Sequence, residues 1–428
     1  MPIGFASPDL ATVDGLFSRA RRRFVRLLAY TVVLPLCSCS RSDADEAFSR
    51  AIAALFAVLA AWDHTDAAQT IRLDISAACS DASHTHAVDA AQPAPVLRLL
   101  PSTVLKSVPR ITFVDFARRQ WYRIDGAAAC RICASLPDLL DATLLINDDA
   151  ALPPAVRRQT RHGIARVLDT LPPSLSSLYI DAPDCTPLNE AFSPPRLDAH
   201  QDSLSLALHR LTLFASLTTV RIVGGLPVAP ELFWPPHYDE PGTALPTWPS
   251  LQKLTISFSL VAPSGKWYVA GPSSNNAPAS SDESASADDE PDDSDDGDDD
   301  DDDNATRTSL VASGMHPTQS FRSDAVPALV NPLFLAIARA ASRMPRLKYL
   351  EASARLRAAK GNDNPALATV FATPGTRHYL DKRHGGLQAN LAKTRVYVSA
   401  PGMDGLLDSR VVWAWEKGFG VGVARLVF

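Results

Sequence analysis

The 428-residue chain is short of the features that mark most enzymes and secreted scaffolds. It has six cysteines (Cys37, Cys39, Cys79, Cys130, Cys133 and Cys185), too few to staple a chain of this length with disulfides. Cys130-x-x-Cys133 is the sole metal-like pair, and no second pair at finger spacing follows it, so these read as reduced, buried thiols. There is no G-x-S-x-G elbow, no Walker loop and no G-x-G-x-x-G between a strand and a helix. Gly418–Gly422 is glycine-rich but lies ahead of a terminal strand with no helix after it. His84-x-His86, near Asp81 and Asp89, lacks the fixed backbone geometry of a metal ligand pair and reads as a polar loop. His162 and His209 lie beside arginines on helical stretches and read as exposed. With no carboxylate pair and histidine recurring on one face, no catalytic residue, metal ligand or cofactor is expected.

Long apolar runs are missing too. The run Leu27–Leu36 within Arg19–Cys37 is about ten residues, too short to span a bilayer. Its basic lead and Leu34-Pro-Leu-Cys37 ending resemble a targeting signal, which leaves a secreted or membrane-anchored protein as an alternative. Arg26 interrupts the run, and its length suits a buried strand over Leu27–Leu34. The preferred reading is a cytoplasmic or nuclear protein with no membrane partner.

The net charge of −6 conceals an uneven distribution. Ser281–Asp303 holds 15 of the 47 acidic residues and no basic one. The other 32 acidic residues face 41 basic ones, a balance of +9. That is too weak and scattered for nucleic acid, and no basic-aromatic stripe accompanies it. Residues 271–314 read as an acidic, solvated insert, because Asp298–Asp303 has no apolar anchor.

What is present is a recurring unit. Thr247–Ser259 carries Leu251, Leu254 and Ile256 at positions 0, +3 and +5. The same spacing recurs at Ile111/Val114/Phe116, Leu175/Leu178/Ile180 and Leu217/Val220/Ile222, and in part at Leu347/Leu350. Ser135–Asn147 gives a poorer copy, with Asp141 ahead of Leu144 and Ile146. Helical periodicity precedes most copies: Asp45–Trp62 (apolar at 48, 52, 55, 56 and 59), Pro153–Leu168 (Val156, Thr160, Ile164, Val167), His200–Phe214 and Pro327–Met344. Thr70–Ser76 and Thr394–Ser399 alternate as strands. Residues 409–417 read as helix and Val421–Phe428 as a final strand. First positions 175, 217, 251 and 347 are separated by 42, 34 and 96 residues. Regular leucine-rich repeats run roughly 20–29 residues and carry an Asn or Cys after the strand, which is lacking here.

The expected fold is α/β: an irregular leucine-rich-repeat-like solenoid of helix–strand units with a mainly parallel curved sheet. Residues 1–18 form a weakly ordered N-terminus. Residues 19–270 and 315–428 form one domain, with 271–314 inserted between them. Trp234, Tyr238, Trp267 and Tyr268 are the candidate partner-binding residues, since Trp and Tyr anchor interfaces.

Several local motifs resemble those of fungal F-box-type proteins with an uncharacterised leucine-rich-like body. They are the helix Ala47–Trp62 ending Leu-x-x-Trp, Leu73-Asp-Ile-Ser76 with Ser80-Asp-x-Ser-His84, the turn Gly265-Lys-Trp-Tyr268, Met344-Pro-x-Leu347, and Val411–Glu416. The resemblance implies a non-catalytic protein–protein interaction module, the substrate-recognition body of a ubiquitin ligase receptor. The F-box itself, an L-P-x-E-[IL] helical stretch that docks a Skp-type adaptor, does not occur in the sequence. A Skp-type adaptor is therefore expected as partner only if an F-box precedes Met1. The chain is otherwise expected to be a monomer with an unidentified protein partner; an enzyme of unseen class is the remaining alternative.

Loop length enters stability only logarithmically. Deleting residues 275–305 should therefore leave the melting temperature almost unchanged. A sharp fall on that deletion would show that the acidic segment is packed.

Overall fold

Alternation along Leu27–Leu34 sets the pattern for the molecule. Leu28, Tyr30, Val32 and Leu34 are buried, while Leu27, Ala29, Thr31 and Val33 are half-buried, as in a strand with one face against a core. The structure is a computed structural model. It describes residues 2–7, 22, 24–34, 40–62, 70–79, 95–116, 122–198, 201–271, 314–315, 322–355, 367–382, 390–403, 406–420 and 423–426.

The described strands build a 12-stranded sheet in which spatial order is chain order. They are β1 (Pro2–Ala6), β2 (Leu27–Leu34), β3 (Ile71–Cys79), β4 (Ile111–Phe116), β5 (Asp141–Leu145), β6 (Ser177–Asp181), β7 (Thr219–Leu226), β8 (Lys253–Phe258), β9 (Tyr349–Ala354), β10 (Leu367–Ala372), β11 (Arg395–Ser399) and β12 (Val423–Leu426). Pairing is parallel from β1 to β9. It turns antiparallel on both sides of β10 and is parallel again between β11 and β12. Six helices accompany them: α1 (Arg41–Ala60), α2 (Gly126–Ala134), α3 (Pro154–Val167), α4 (Ser203–Thr212), α5 (Pro327–Ala341) and α6 (Ser409–Phe419). The α/β class and mainly parallel sheet agree with expectation.

The 0, +3, +5 spacing has a structural cause. In the units led by Leu139, Leu175, Leu217 and Leu347 the first residue closes a tight turn by donating its amide to the carbonyl three residues back, and the inward-facing positions of the strand follow it. Leu254 and Ile256 register with Val220 and Ile222 of β7 and with Leu350 and Ala352 of β9, and all are buried. The columns continue through Leu178 and Ile180 to Ala142 and Leu144. The β5 copy is thus Leu139/Ala142/Leu144, two residues ahead of the sequence assignment. Asp141 pairs with Ser177 on the opposite face, where a carboxylate keeps its water. Val25/Leu28/Tyr30 is a further copy, also buried.

The turns repeat as well as the strands. The Leu140 carbonyl accepts the amides of Ser176 and Ser177 at 2.8 and 2.9 Å. The Ser176 carbonyl accepts those of Thr218 and Thr219 (2.8 and 3.1 Å), and Thr218 those of Gln252 and Lys253 (2.8 and 3.0 Å). Gln252 accepts those of Lys348 and Tyr349 at 2.8 and 3.1 Å. Each unit satisfies the backbone of the next.

Helix starts differ from expectation where caps decide them. Ser40 and Asp43 form a capping box, so α1 begins at Arg41, four residues ahead of the Asp45 start expected from periodicity. Helix α2 lacks a readable apolar stripe: its sequence GAAACRICA is mostly small residues. Gly126 opens it because a Cβ there would sit 2.7 Å from Ile164 Cδ1 and 2.9 Å from the Leu145 carbonyl. Pro2–Ala6, within the stretch expected to be weakly ordered, pairs with Leu27–Thr31; residues 8–21 lie outside the described residues. The same holds for 272–313 of the acidic insert, whose base is closed by a two-stranded ribbon pairing Val269 with Ala325 and Ala270 with Asp324. Strand β10, absent from the expectation, is buried along its whole length. No helix of the described residues is long and apolar enough to cross a membrane.

Leu139→Ala and Leu254→Ala should each cost about 2–5 kcal/mol in urea denaturation, as buried Leu truncations do. Asp141→Ala should cost under about 0.5 kcal/mol, as a surface change does. The reverse ranking of Leu139 and Asp141 would overturn the register.

Candidate interaction surface

One face of the sheet is buried in the core; the other carries polar and aromatic side chains in rows set by the strand register. One row reads Arg72, Phe113, Asp141, Ser177, Thr219, Lys253, Tyr349 across β3 to β9. The next reads Asp74, Asp115, Thr143, Tyr179, Arg221, Thr255, Glu351. These side chains are half-buried, and Arg72, Arg221 and Lys253 are exposed.

Cations and aromatics meet between neighbouring strands. The Arg72 guanidinium lies 4.1 Å from the Phe113 ring centre, Arg221 5.5 Å from Tyr179, and Lys253 5.8 Å from Tyr349. Arg72 also bonds Asp74 (2.7 Å) and Asp115 (3.0 Å). Burial, with the neighbouring Asp74 charge, raises the Asp115 pKa despite Arg72. The face therefore offers both charge signs and flat rings, on a backbone fixed by ladder bonds.

Over β9–β11 this face is covered. The 3₁₀ turn Tyr379–Lys382 packs Leu380 against Val370 and Tyr397. Asp381 of the same turn accepts bonds from Arg395 Nε and an Arg395 terminal nitrogen (both 2.6 Å), Tyr397 Oη (3.0 Å) and the His378 amide (2.7 Å). Burial works against its charge, but these bonds outweigh it and lower the pKa. The accessible rows thus run from β3 to β8.

The four aromatic candidates fall into two packing groups. Trp234 and Tyr238 touch in the β7–β8 connection, with ring centres 5.6 Å apart. Trp234 Nε1 donates to Asp239 (3.1 Å), which also takes Arg339 of α5 at 2.8 and 3.1 Å. Trp267 and Tyr268 are buried and serve packing. Trp267 donates to the Phe192 carbonyl at 3.0 Å beneath Arg322, and Tyr268 to the Val228 carbonyl at 2.9 Å.

Two readings from the sequence are corrected here. His209 is buried rather than exposed, 2% accessible, between Trp248, the Leu232 carbonyl (3.3 Å) and Tyr238 Oη (3.2 Å). The inner face of α3 is Arg157, Arg161, Ile164 and Ala165; Val156, Thr160 and Val167 are only half-buried. Both arginines reach a buried network at the C-terminal ends of β5–β7. Asp148 accepts Arg157 Nε (2.6 Å) and Arg161 (2.7 Å), and Asp202 binds Arg161 through both oxygens (2.7 and 2.6 Å). Asp202 also caps α4 through the Ser205 amide. Burial opposes the Asp148 charge, yet the two arginines lower its pKa. Four arginines on α3 were the available sequence signal, with Asp148-Asp149 just before it. The inserted thiols of Cys130 and Cys133 are fully buried on α2, and burial raises both. Among the described residues no cluster of three or more His, Cys, Asp or Glu could hold a metal; His84 and His86 lie outside them.

Burial lowers the His209 pKa from 6.5 to about 4. The folded state therefore binds fewer protons than the unfolded chain between those values. Its contribution is complete above pH 6.5 and is lost as pH falls toward 4, on the order of 2–3 kcal/mol. In His209→Gln the stability loss from pH 6.5 to 4 should be smaller by that amount; parallel curves for the two proteins would exclude His209 as the source.

Compared with family models, curated proteins and solved structures, the chain matches none.

Proposed function

We propose that this chain is a non-catalytic protein-binding module, a leucine-rich-like stack of helix–strand units with its partner across the open rows of β3–β8. The observation that carries the reading is the one-sided burial of a sheet assembled in chain order. Such a sheet presents a broad, preorganised face instead of an enclosed pocket. Its cation–aromatic pairs, Arg72 with Phe113 and Arg221 with Tyr179, are of the residue types that dominate protein interfaces. The F-box-type motifs support the same direction, since the bodies they resemble recognise protein substrates.

Proximity labelling with the wild type and a Tyr179→Ala/Arg221→Ala/Lys253→Ala variant tests this, with equal melting temperatures as the control for folding. A set of proteins lost by the variant but kept by Trp234→Ala/Tyr238→Ala is expected. Recovery of the same set from all three would overturn the sheet face as the docking surface. Copurification with a Skp-type adaptor separately tests the ligase role.

A further inference from the structure

The buried network leaves one cation incompletely used. Arg157 is 5% accessible, and its Nε is spent on Asp148. Its two terminal nitrogens have no partner among the described residues, and neither is sealed from solvent. A guanidinium has five donors in a fixed fork, so four N–H groups remain. They border a cavity of about 250 Å³ beyond the C-terminal ends of β5–β7.

The cavity wall supplies almost nothing for those donors. Leu152, Phe192, Leu197 and Val261 line it together with six prolines, none of which has a side-chain acceptor. Cys185, the other polar side chain of the wall, donates to the Asp148 and Pro183 carbonyls and stays protonated, because burial raises its pKa. Asp148 is already shared between two arginines. The cavity also meets Pro153 and Pro154 at the start of the 14-residue helix α3, whose dipole favours negative charge at that end.

The geometry points to a binding site for a small carboxylate with an apolar body, its two oxygens bridged by the free fork of Arg157 and its body against the proline-rich wall. A carboxylate matches that fork bidentately, and a charge-assisted bond is about twice as strong as a neutral one. Proline-built walls are stiff, so the site is preformed. A free acid and the C-terminus of a peptide share this chemistry. The site lies at the strand ends, apart from the open rows, and does not depend on the partner proposed for them.

Calorimetry on the full chain with phenylacetate tests it. Phenylacetate should bind at least tenfold more tightly than phenylacetamide, and binding should be lost in Arg157→Gln. Because removing Arg157 disturbs Asp148, Ala151→Phe gives a second variant that fills the cavity without touching the ion network; it too should abolish binding. A tripeptide ending in leucine, with a free or amidated terminus, separates the sources. Tighter binding of the free-terminus peptide than of phenylacetate identifies a chain end as the ligand, and the reverse a small acid. Equal affinity for acid and amide, retained binding in Ala151→Phe, or no binding of any probe would overturn the site.

Discussion

The structure depends on a shared backbone oxygen. At four successive boundaries the carbonyl one residue past the first buried position accepts two amides from the next unit, running from Leu140 through Ser176, Thr218 and Gln252 to Lys348 and Tyr349. A tight turn buries its leading leucine only if its own polar groups find partners. Here the partner is always the neighbouring turn. That requirement fixes the lateral register of the strands, which in turn aligns Ala142, Leu178, Val220, Leu254 and Leu350 as one column of the core.

Register then determines the opposite face. Because side chains alternate, aligning the buried columns necessarily aligns the outward ones. Arg72 meets Phe113, and Tyr179 meets Arg221, without any further constraint. The rows end where the turn Tyr379–Lys382 folds over β10 and β11. There the pairing turns antiparallel and every residue of β10 is buried, so the sheet changes from one-sided to two-sided.

This division explains what could be read in advance. The strands at Leu27–Leu34, Ser177–Asp181 and Lys253–Phe258 were legible because one-sided burial writes itself as alternation. Strand β10, LATVFA, was not, since burial on both sides removes the period. Asp141 misled the β5 register because Ile146, just beyond the strand, is also buried and imitates the +5 position. Helix α3 was found but turned the wrong way: charge counted as outward, while Asp148 and Asp202, distant in sequence, make Arg157 and Arg161 inward residues. The cavity beside Arg157 could not be inferred, because its wall comes from four separate connections. His209 shows the same limit, since the ring of Trp248 that covers it is 39 positions away.

The ribbon that joins Val269 to Ala325 bears on how the chain assembles. Most neighbouring strands are a few dozen residues apart, so the sheet can grow in the order of synthesis, each new strand meeting a finished edge. The step from β8 to β9 differs, with first positions 96 residues apart. A long excursion slows pairing because its ends must meet by diffusion. The ribbon and the Val326 amide on the Tyr268 carbonyl (2.8 Å) deliver Pro327 beside the growing edge. From there only helix α5 and a turn separate the chain from β9. What looks like a decorative pair of short strands is thus the device that returns the chain to its template, and its loss would strand the C-terminal quarter before it could add to the sheet.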